Sequence, residues 1–336
     1  MSTPDRFETW LCPREDGLYC APGGFHIDPH RPVDRAVITH GHSDHARAGH
    51  GHVLATPETI GLMQVRYGRD CAGQFQRLGY GERLRVGDVE IWLAPAGHIL
   101  GSAQVVIEWQ GQRAVVSGDY KRASDPTAAG FELVTCDLFV TEATFALPVF
   151  RHELAADEVA RLLSSLARQP ERAHLVGAYG LGKCQRVIKL LREAGYDKPI
   201  HLHGAMVSLC DYYQQAGVDL GALQPVGDAR GLAGEIVLCP PSALRDRWSR
   251  RFADPVTAFA SGWMRIKGRA RQSGVELPLV ISDHVDWPEL IATLREVNAR
   301  EIWITHGRDD ALAHYLASQG VKARALALVG FDEEEG

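Results

Sequence analysis

Six consecutive residues, His40-Gly41-His42-Ser43-Asp44-His45, carry three imidazoles and a carboxylate. Such groups make a poor apolar core and a good cage for a divalent cation. Imidazole and carboxylate are the ligand types that zinc, manganese and iron accept. The pattern, H-x-H-x-D-H, follows the apolar run Ala36-Val37-Ile38-Thr39. A strand ending there delivers its last side chains at the C-terminal edge of a sheet, where open α/β sheets bind their ligands. A solvated polar loop is the alternative reading of the same six residues. Three further polar residues stand in a similar way. His98 comes after the alternating run Val89-Glu90-Ile91-Trp92-Leu93, Asp119 after Val115-Val116-Ser117-Gly118, and His306 after Ile302-Trp303-Ile304-Thr305. A single histidine after a strand is more often a satisfied structural residue than a ligand. Four strand-end sets in one chain fit that account poorly.

The ordered set of Asp28 in Phe25-His26-Ile27-Asp28-Pro29, the H-x-H-x-D-H loop, His98 and Asp119 resembles the metallo-β-lactamase fold. Glu142 in Thr141-Glu142-Ala143-Thr144 resembles the first motif of the branch that acts on nucleic acids, the β-CASP nucleases. His284 in Ile281-Ser282-Asp283-His284-Val285-Asp286-Trp287 resembles its second motif, and His306 its third. The resemblance covers nearly the whole chain. The compact length, the opening Gly17-Leu18-Tyr19-Cys20-Ala21-Pro22-Gly23-Gly24-Phe25 and the segment Ala260-Ser261-Gly262-Trp263 are most similar to the bacterial ligase-associated DNA exonucleases.

The resemblance implies an α/β protein, an αββα sandwich carrying an inserted parallel α/β β-CASP domain. It implies two divalent metal ions, zinc or manganese, that share Asp119. His40, His42 and His98 would hold one; Asp44, His45 and His306 would hold the other. Two ions about 3.5–4 Å apart lower the pKa of water and offset charge on phosphoryl oxygens, which suits in-line attack on phosphorus. Asp44 therefore counts among the catalytic groups as well as among the ligands. By analogy with the fold, Asp28 orients the ligand loop through hydrogen bonds. His284 is the general acid to the leaving oxygen, and Glu142 keeps its imidazole oriented and protonated. A buried ion pair with no part in turnover is the alternative for Glu142 and His284.

A chain of 336 residues can bury a large core and suggests two domains, or one with a large insertion. No apolar run reaches the roughly 18 residues that span a membrane. The first residues, Met1-Ser2-Thr3-Pro4-Asp5-Arg6, lack the basic and apolar regions of a signal peptide. Seven scattered cysteines without a C-x-x-C pair fit free thiols in a reducing cytoplasm. The net charge of −6 is not that of a nucleic-acid binder taken globally. Phosphate affinity needs only a local basic surface, because salt screens charges beyond about 8–10 Å. Arg245, Arg247, Arg250 and Arg251 around Trp248 offer one such stretch; Arg265, Lys267, Arg269 and Arg271 after Trp263 offer another. A solvated face is the alternative for each.

The elements that must position these residues are short strands and turns up to about residue 145. There, Val53-Leu54-Ala55-Thr56 reads as a strand, a helix starts at Pro57, and a hairpin turns at Gln110-Gly111-Gln112. Around residue 150 the texture changes. A helical period over 155–168 is followed by a strand over 174–177, a helix over 185–194, and strands over 199–202 and 234–238. This β-α-β alternation predicts a parallel, helix-flanked sheet as a separate unit. After about residue 260 the strand-turn pattern returns. The predicted division is a discontinuous body of 1–148 and 260–330, an insertion of 149–259, and an acidic tail of 331–336.

One motif competes. Gly177-Ala178-Tyr179-Gly180-Leu181-Gly182-Lys183-Cys184 reads G-x-x-x-x-G-K-C, one residue away from a phosphate-binding P-loop. A P-loop needs a hydroxyl at its last position to hold magnesium, and a thiol is a poor ligand for a hard cation. A structural turn is the expectation, with a backbone-phosphate contact through Lys183 as the runner-up.

Three classes of function remain: a metal-dependent phosphodiesterase on DNA or RNA, a small-molecule hydrolase of the same fold, and a nucleic-acid binder with a dead site. The insertion and the Glu142/His284 pair disfavour the second, and a complete ligand set disfavours the third. A histidine at the third motif is more usual in the RNA enzymes of the branch, whereas the subfamily resemblance implies DNA. The expectation is trimming of a single-stranded DNA end in repair, in the cytoplasm and off the membrane, with RNA processing as the alternative. A DNA ligase and a helicase are the implied functional associates. The strand would lie in a cleft beside the insertion, with Ser261, Trp263, Arg265 and Lys267 as its contacts.

Overall fold

The computed structural model describes residues 7–305 and 309–326. The chain divides into two compact units, Met1–Pro148 with His284–Glu335, and Val149–Asp283.

The first unit contains two sheets. Strands Leu11–Arg14, Gly17–Cys20, Phe25–Ile27, Arg35–Val37, His50–Ala55 and Ala72–Arg77 lie side by side in sequence order. The seven-stranded sheet runs Ala323–Ala325, Glu301–Ile304, Leu138–Thr141, Gln112–Val116, Ala103–Trp109, Val89–Pro95 and Leu84–Val86. Alternation along the strands assigns each side chain to a face. Val105, Ile107, Ala114, Val116 and Val140 join Leu11, Phe25, Ile27, Val37 and Leu54 in the core between the sheets. The alternate residues Val106, Val115, Phe139 and Ile302 face the other way, onto Leu290 and Leu294 of helix Trp287–Glu296 and Leu312 and Leu316 of helix Asp309–Ser318. On the opposite outer side, Ile60 and Met63 of helix Pro57–Tyr67 cover Ala36, Ile38, Val53 and Ala55. That helix opens with the Thr56 hydroxyl accepting the N–H of Thr59, and Pro57 occupies its first turn. The layers are therefore helix, sheet, sheet, helix, an αββα sandwich.

Neighbouring strands Leu138–Thr141 and Glu301–Ile304 pair in parallel, with Thr141 opposite Ile304. The second unit is inserted between them in sequence. Its six strands are all parallel, in the order Leu223–Pro225, Ile200–Leu202, Ile236–Cys239, His174–Gly177, Val256–Ala260, Leu277–Leu279. Helices Ala155–Arg168, Lys183–Glu193 and Gly204–Gln215 accompany them.

The return from this unit differs from the sequence expectation of about residue 260. Strand Leu277–Leu279 hydrogen-bonds onto Val256–Ala260, so the chain leaves the parallel sheet only at Asp283. Of the apolar triplet Leu279-Val280-Ile281, expected as a strand, only Leu279 belongs to that strand. The acidic tail lies outside the described residues. Among the described residues, no helix is long and apolar enough to cross a membrane.

Candidate metal centre

The residues of the metal cluster, with Glu142 and His284, belong to the first unit, and the cluster gathers at one edge of its sheets. The H-x-H-x-D-H loop leaves strand Arg35–Val37, His98 follows Val89–Pro95, Asp119 follows Gln112–Val116, and Glu142 follows Leu138–Thr141. The carbonyl of Thr39 accepts the N–H of Ala103, tying one sheet to the other beside the site. Arg66, from helix Pro57–Tyr67, donates to the carbonyl of Gly41 at 2.7 Å and holds the loop from outside. Two glycines permit the close approach. At Gly97, φ is +77° and a Cβ would stand 2.2 Å from the carbonyl oxygen of Lys121. At Gly118, φ is +56° and a Cβ would stand 2.7 Å from Thr39. Only glycine meets both demands without strain, and these positions immediately precede His98 and Asp119.

Asp28 organises the loop. Its backbone adopts φ +44°, a left-handed conformation that Asp tolerates better than most residues. One carboxylate oxygen accepts the N–H of Thr39 at 2.8 Å; the other accepts the Thr39 hydroxyl at 2.6 Å and lies 2.8 Å from His45 Nδ1. Thr39 Oγ1 is 3.0 Å from His40 Nδ1. Because the Thr39 proton is given to Asp28, His40 Nδ1 is the donor in that contact. His40 Nε2 is then left with a bare lone pair pointing at the site. His45 is turned in the same way, with Nδ1 on Asp28. Fixing the tautomer through the far ring nitrogen is how metal-ligating histidines are ordinarily oriented.

The inward atoms converge. His42 Nδ1 lies 3.1 Å from His40 Nε2 and 3.1 Å from His98 Nε2. Asp119 Oδ2 lies 3.5 Å from His40 Nε2, 3.8 Å from His98 Nε2 and 3.6 Å from His45 Nε2. The last atom is 3.6 Å from Asp44 Oδ2. His40, His42, His98 and Asp119 thus offer four donor atoms within 4.8 Å of one another. Ligand atoms around a tetrahedral zinc with bonds of about 2.0–2.1 Å stand about 3.3 Å apart, so this set fits a small divalent cation. Asp119 stands between that set and the pair Asp44 and His45. His306, the remaining residue of the expected second set, lies outside the described residues.

Electrostatics point the same way. Burial, and then the imidazoles of His45, His98, His42 and His284, push the pKa of His40 well below its usual value. A neutral imidazole is the form that binds a metal. Burial also acts against a charged His45, but Asp44, Asp119 and Asp28 outweigh it and hold His45 up at about 10. Burial raises Asp119, with His45 opposing and Glu142 adding to the rise. So many carboxylates in a buried site require a compensating positive charge, which a divalent ion supplies.

Beside the cluster, His284 Nδ1 lies 3.1 and 3.0 Å from the two oxygens of Glu142. Glu142 Oε1 also accepts the N–H of Tyr120 at 2.8 Å. The carbonyl of Tyr120 accepts the N–H of Val285, which seats the backbone next to His284. The imidazoles of His284 and His98 are 4.6 Å apart, and donor atoms of Asp119, Glu142 and His284 lie within 4.8 Å of one another.

Comparison with known proteins agrees with this geometry. No family profile matches the chain. It is 28% identical over 324 residues to a protein of Opitutus terrae named a probable DNA ligase, covering 94% of this chain and 31% of that protein. It is 28% identical over 212 residues to a ribonuclease of Thermus thermophilus, covering 55% of this chain and 48% of that enzyme. It is 25% identical to subunit 3 of the cleavage and polyadenylation specificity factor of Dictyostelium discoideum, covering 62% of this chain and 31% of the subunit. The chain is similar to the nucleases of the β-CASP branch of the metallo-β-lactamase fold. It spans about a third to a half of the length of these curated relatives. A crystal structure of a protein of unknown function from Enterococcus faecalis shares the fold, with a TM-score of 0.58, 10% identity, and coverage of 88% of this chain and 80% of that one.

The β-CASP unit itself, the second, places the remaining sequence candidates. Ser261 is buried, and its hydroxyl accepts the N–H of Trp263. Trp263 is half-buried, with Arg269 over its ring at 3.9 Å and Phe150 edge-on at 5.2 Å. Arg265 is exposed and pairs with Glu153 at 2.9 Å, while Lys267 is exposed. Lys183, in the turn expected to be structural, is 3% exposed and pairs with Asp283. Three N–H groups at the start of the helix are also taken. Gly182 N–H goes to the Gln185 side chain, Lys183 N–H to Leu181, and Cys184 N–H to Tyr179. Amides spent in this way are not turned to a phosphate. Sequence reasoning missed Thr39 and Asp283. Each is adjacent to a residue that it did single out; the Thr39 hydroxyl is turned to Asp28, and the Asp283 carboxylate to Lys183.

Proposed function

We propose that this chain is a metal-dependent phosphodiesterase that removes nucleotides from a DNA end. The observation that carries the reading is the junction, at one sheet edge, of the His40, His42, His98 and Asp119 cluster with the Glu142–His284 pair. A small-molecule hydrolase does not need a general acid held apart from the ligand set, nor a whole parallel unit inserted in its chain.

In this reading His40, His42, His98 and Asp119 hold one ion, and Asp44, His45 and His306 join Asp119 in holding a second. Zinc or manganese suits these ligands. Divalent ions there would supply Lewis-acid polarisation of the phosphoryl group and acidify water near neutral pH. The chain's own residues do the rest. Asp28 holds the ligand loop through Thr39 and His45. Glu142 accepts the hydrogen bond from His284 Nδ1–H, which leaves Nε2–H as the group that gives its proton to the departing oxygen. Glu142 is itself kept in place by the N–H of Tyr120.

DNA is favoured because nearly the whole chain aligns with part of a protein named a probable DNA ligase. A ligase, and with it a helicase, is the functional associate that this reading implies. RNA is the second reading, favoured by relatives named ribonuclease and endoribonuclease. End-labelled DNA and RNA strands of matched sequence, with zinc or manganese, decide between them. Shortening of DNA from a terminus is expected. RNA cut at least as fast, or rapid cutting of covalently closed single-stranded DNA, would replace this reading.

A further inference from the structure

The turn 177–184 has the spacing of a phosphate loop, yet its lysine is buried and pairs with a carboxylate of the protein. Within the second unit, Lys183 sends its ammonium to the carboxylate of Asp283 and, at 3.1 Å, to the carbonyl of Ile281. On the other flank of the same segment, Glu158 is also 3% exposed, and its Oε2 accepts the N–H of Val280 at 3.1 Å. A buried cation and a buried anion, from two different helices, therefore grip residues 280–283 just past the end of strand Leu277–Leu279. Backbone groups beyond a strand lose their ladder partners and must find others when buried. Neutral side chains can serve that need, whereas buried charges are costly unless paired well. The outlay is explained if the path of the chain here must be held closely. The next residue is His284.

We propose that Lys183 is a positioning residue for His284. Through Asp283 and Ile281 it fixes the backbone that carries the imidazole, while Glu142 fixes the ring. The proposal rests on His284 taking part in turnover, as in the function proposed above. It also gives the near-P-loop its meaning: glycines bring the helix start close, and the lysine reaches a carboxylate of the protein instead of a phosphate.

The test uses the full chain with metal supplied. Lys183→Met leaves Asp283 charged and buried, so Lys183→Met/Asp283→Leu, which removes both charges, is made beside it, together with Lys183→Arg. Each is measured alone and combined with His284→Ala. Amide exchange over 280–285 and cleavage of an end-labelled strand are followed. Faster exchange over 280–283 is expected in both charge-removing variants. Their turnover should fall by about ten- to a hundredfold, the size expected from a displaced catalytic group, with KM and bound metal unchanged. Lys183→Arg should keep most of the turnover. Combination with His284→Ala should bring no further loss, because two changes acting on one group are not additive. Unchanged exchange overturns the proposal whatever the activity. A raised KM with turnover kept overturns it in favour of a phosphate contact, and so does a full further loss on top of His284→Ala. The acid role of His284 is judged separately, by whether His284→Ala spares a nitrophenyl diester. If it does not, while non-additivity holds, Lys183 still positions His284 and only the chemical role assigned to that imidazole falls.

Discussion

At the scale of single residues, the site divides between groups that face inward and groups that turn them. Asp119 is central because one of its oxygens stands within 4 Å of His40, His98 and His45. Asp119→Ala is expected to abolish phosphodiesterase activity and lower bound metal while leaving the fold intact. Full activity with unchanged metal content would remove the shared-carboxylate assignment. His284→Ala should keep its metal and lose about 10²–10⁴-fold in turnover on nucleic acid, the usual range for a general acid. A nitrophenyl diester needs little protonation as it departs and should suffer less. Equal losses on both substrates would show that His284 is not the acid.

At the scale of elements, strand ends and the turns after them do the placing. Gly118 shows how narrow the tolerance is. Gly118→Ala puts a Cβ against Thr39 at a positive φ, and Thr39 is the link between Asp28 and His40. Strain of roughly 1–3 kcal/mol is expected, read as a lower Tm, together with weaker metal binding. Undiminished metal affinity would show that the Thr39 link does not govern the ligands. The turn 177–184 works by the same logic with a different outcome, since the N–H groups of Gly182, Lys183 and Cys184 are spent on neighbouring residues. Cys184→Ala should leave nuclease activity nearly intact, and no ATP hydrolysis should be seen. ATP turnover that vanished on changing Lys183 would revive the nucleotide reading.

At the scale of the whole molecule, each unit carries its own core, and the described part of the metal site lies in one of them. Basic contacts in the second unit are expected to act on strand binding and leave metal content alone. Lys267→Ala should weaken DNA binding and lower its salt dependence by about one unit of slope. Arg265→Ala should do less, because Glu153 already pairs with that guanidinium. Equal salt slopes for the wild type and Lys267→Ala would exclude Lys267 from the interface.

The sequence by itself determined the residue types and their spacing. A histidine- and aspartate-rich loop after an apolar run, and polar residues after three more strands, were legible because strand period and ligand chemistry are local properties. The parallel sheet of the second unit was legible for the same reason, down to the helix Ala155–Arg168. Tertiary structure alone decided which of these residues meet. Asp28 and His45 touch across 17 positions, and Glu142 and His284 across 142, distances over which no local pattern carries information. It also decided where the chain leaves the second sheet, since strand Leu277–Leu279 was settled by pairing with Val256–Ala260 and not by its own composition. Lys183 is the clearest case. Its near-P-loop spacing left a structural turn or a phosphate contact open, and the fold places the ammonium on the carboxylate of Asp283, a partner 100 positions away that no local pattern names.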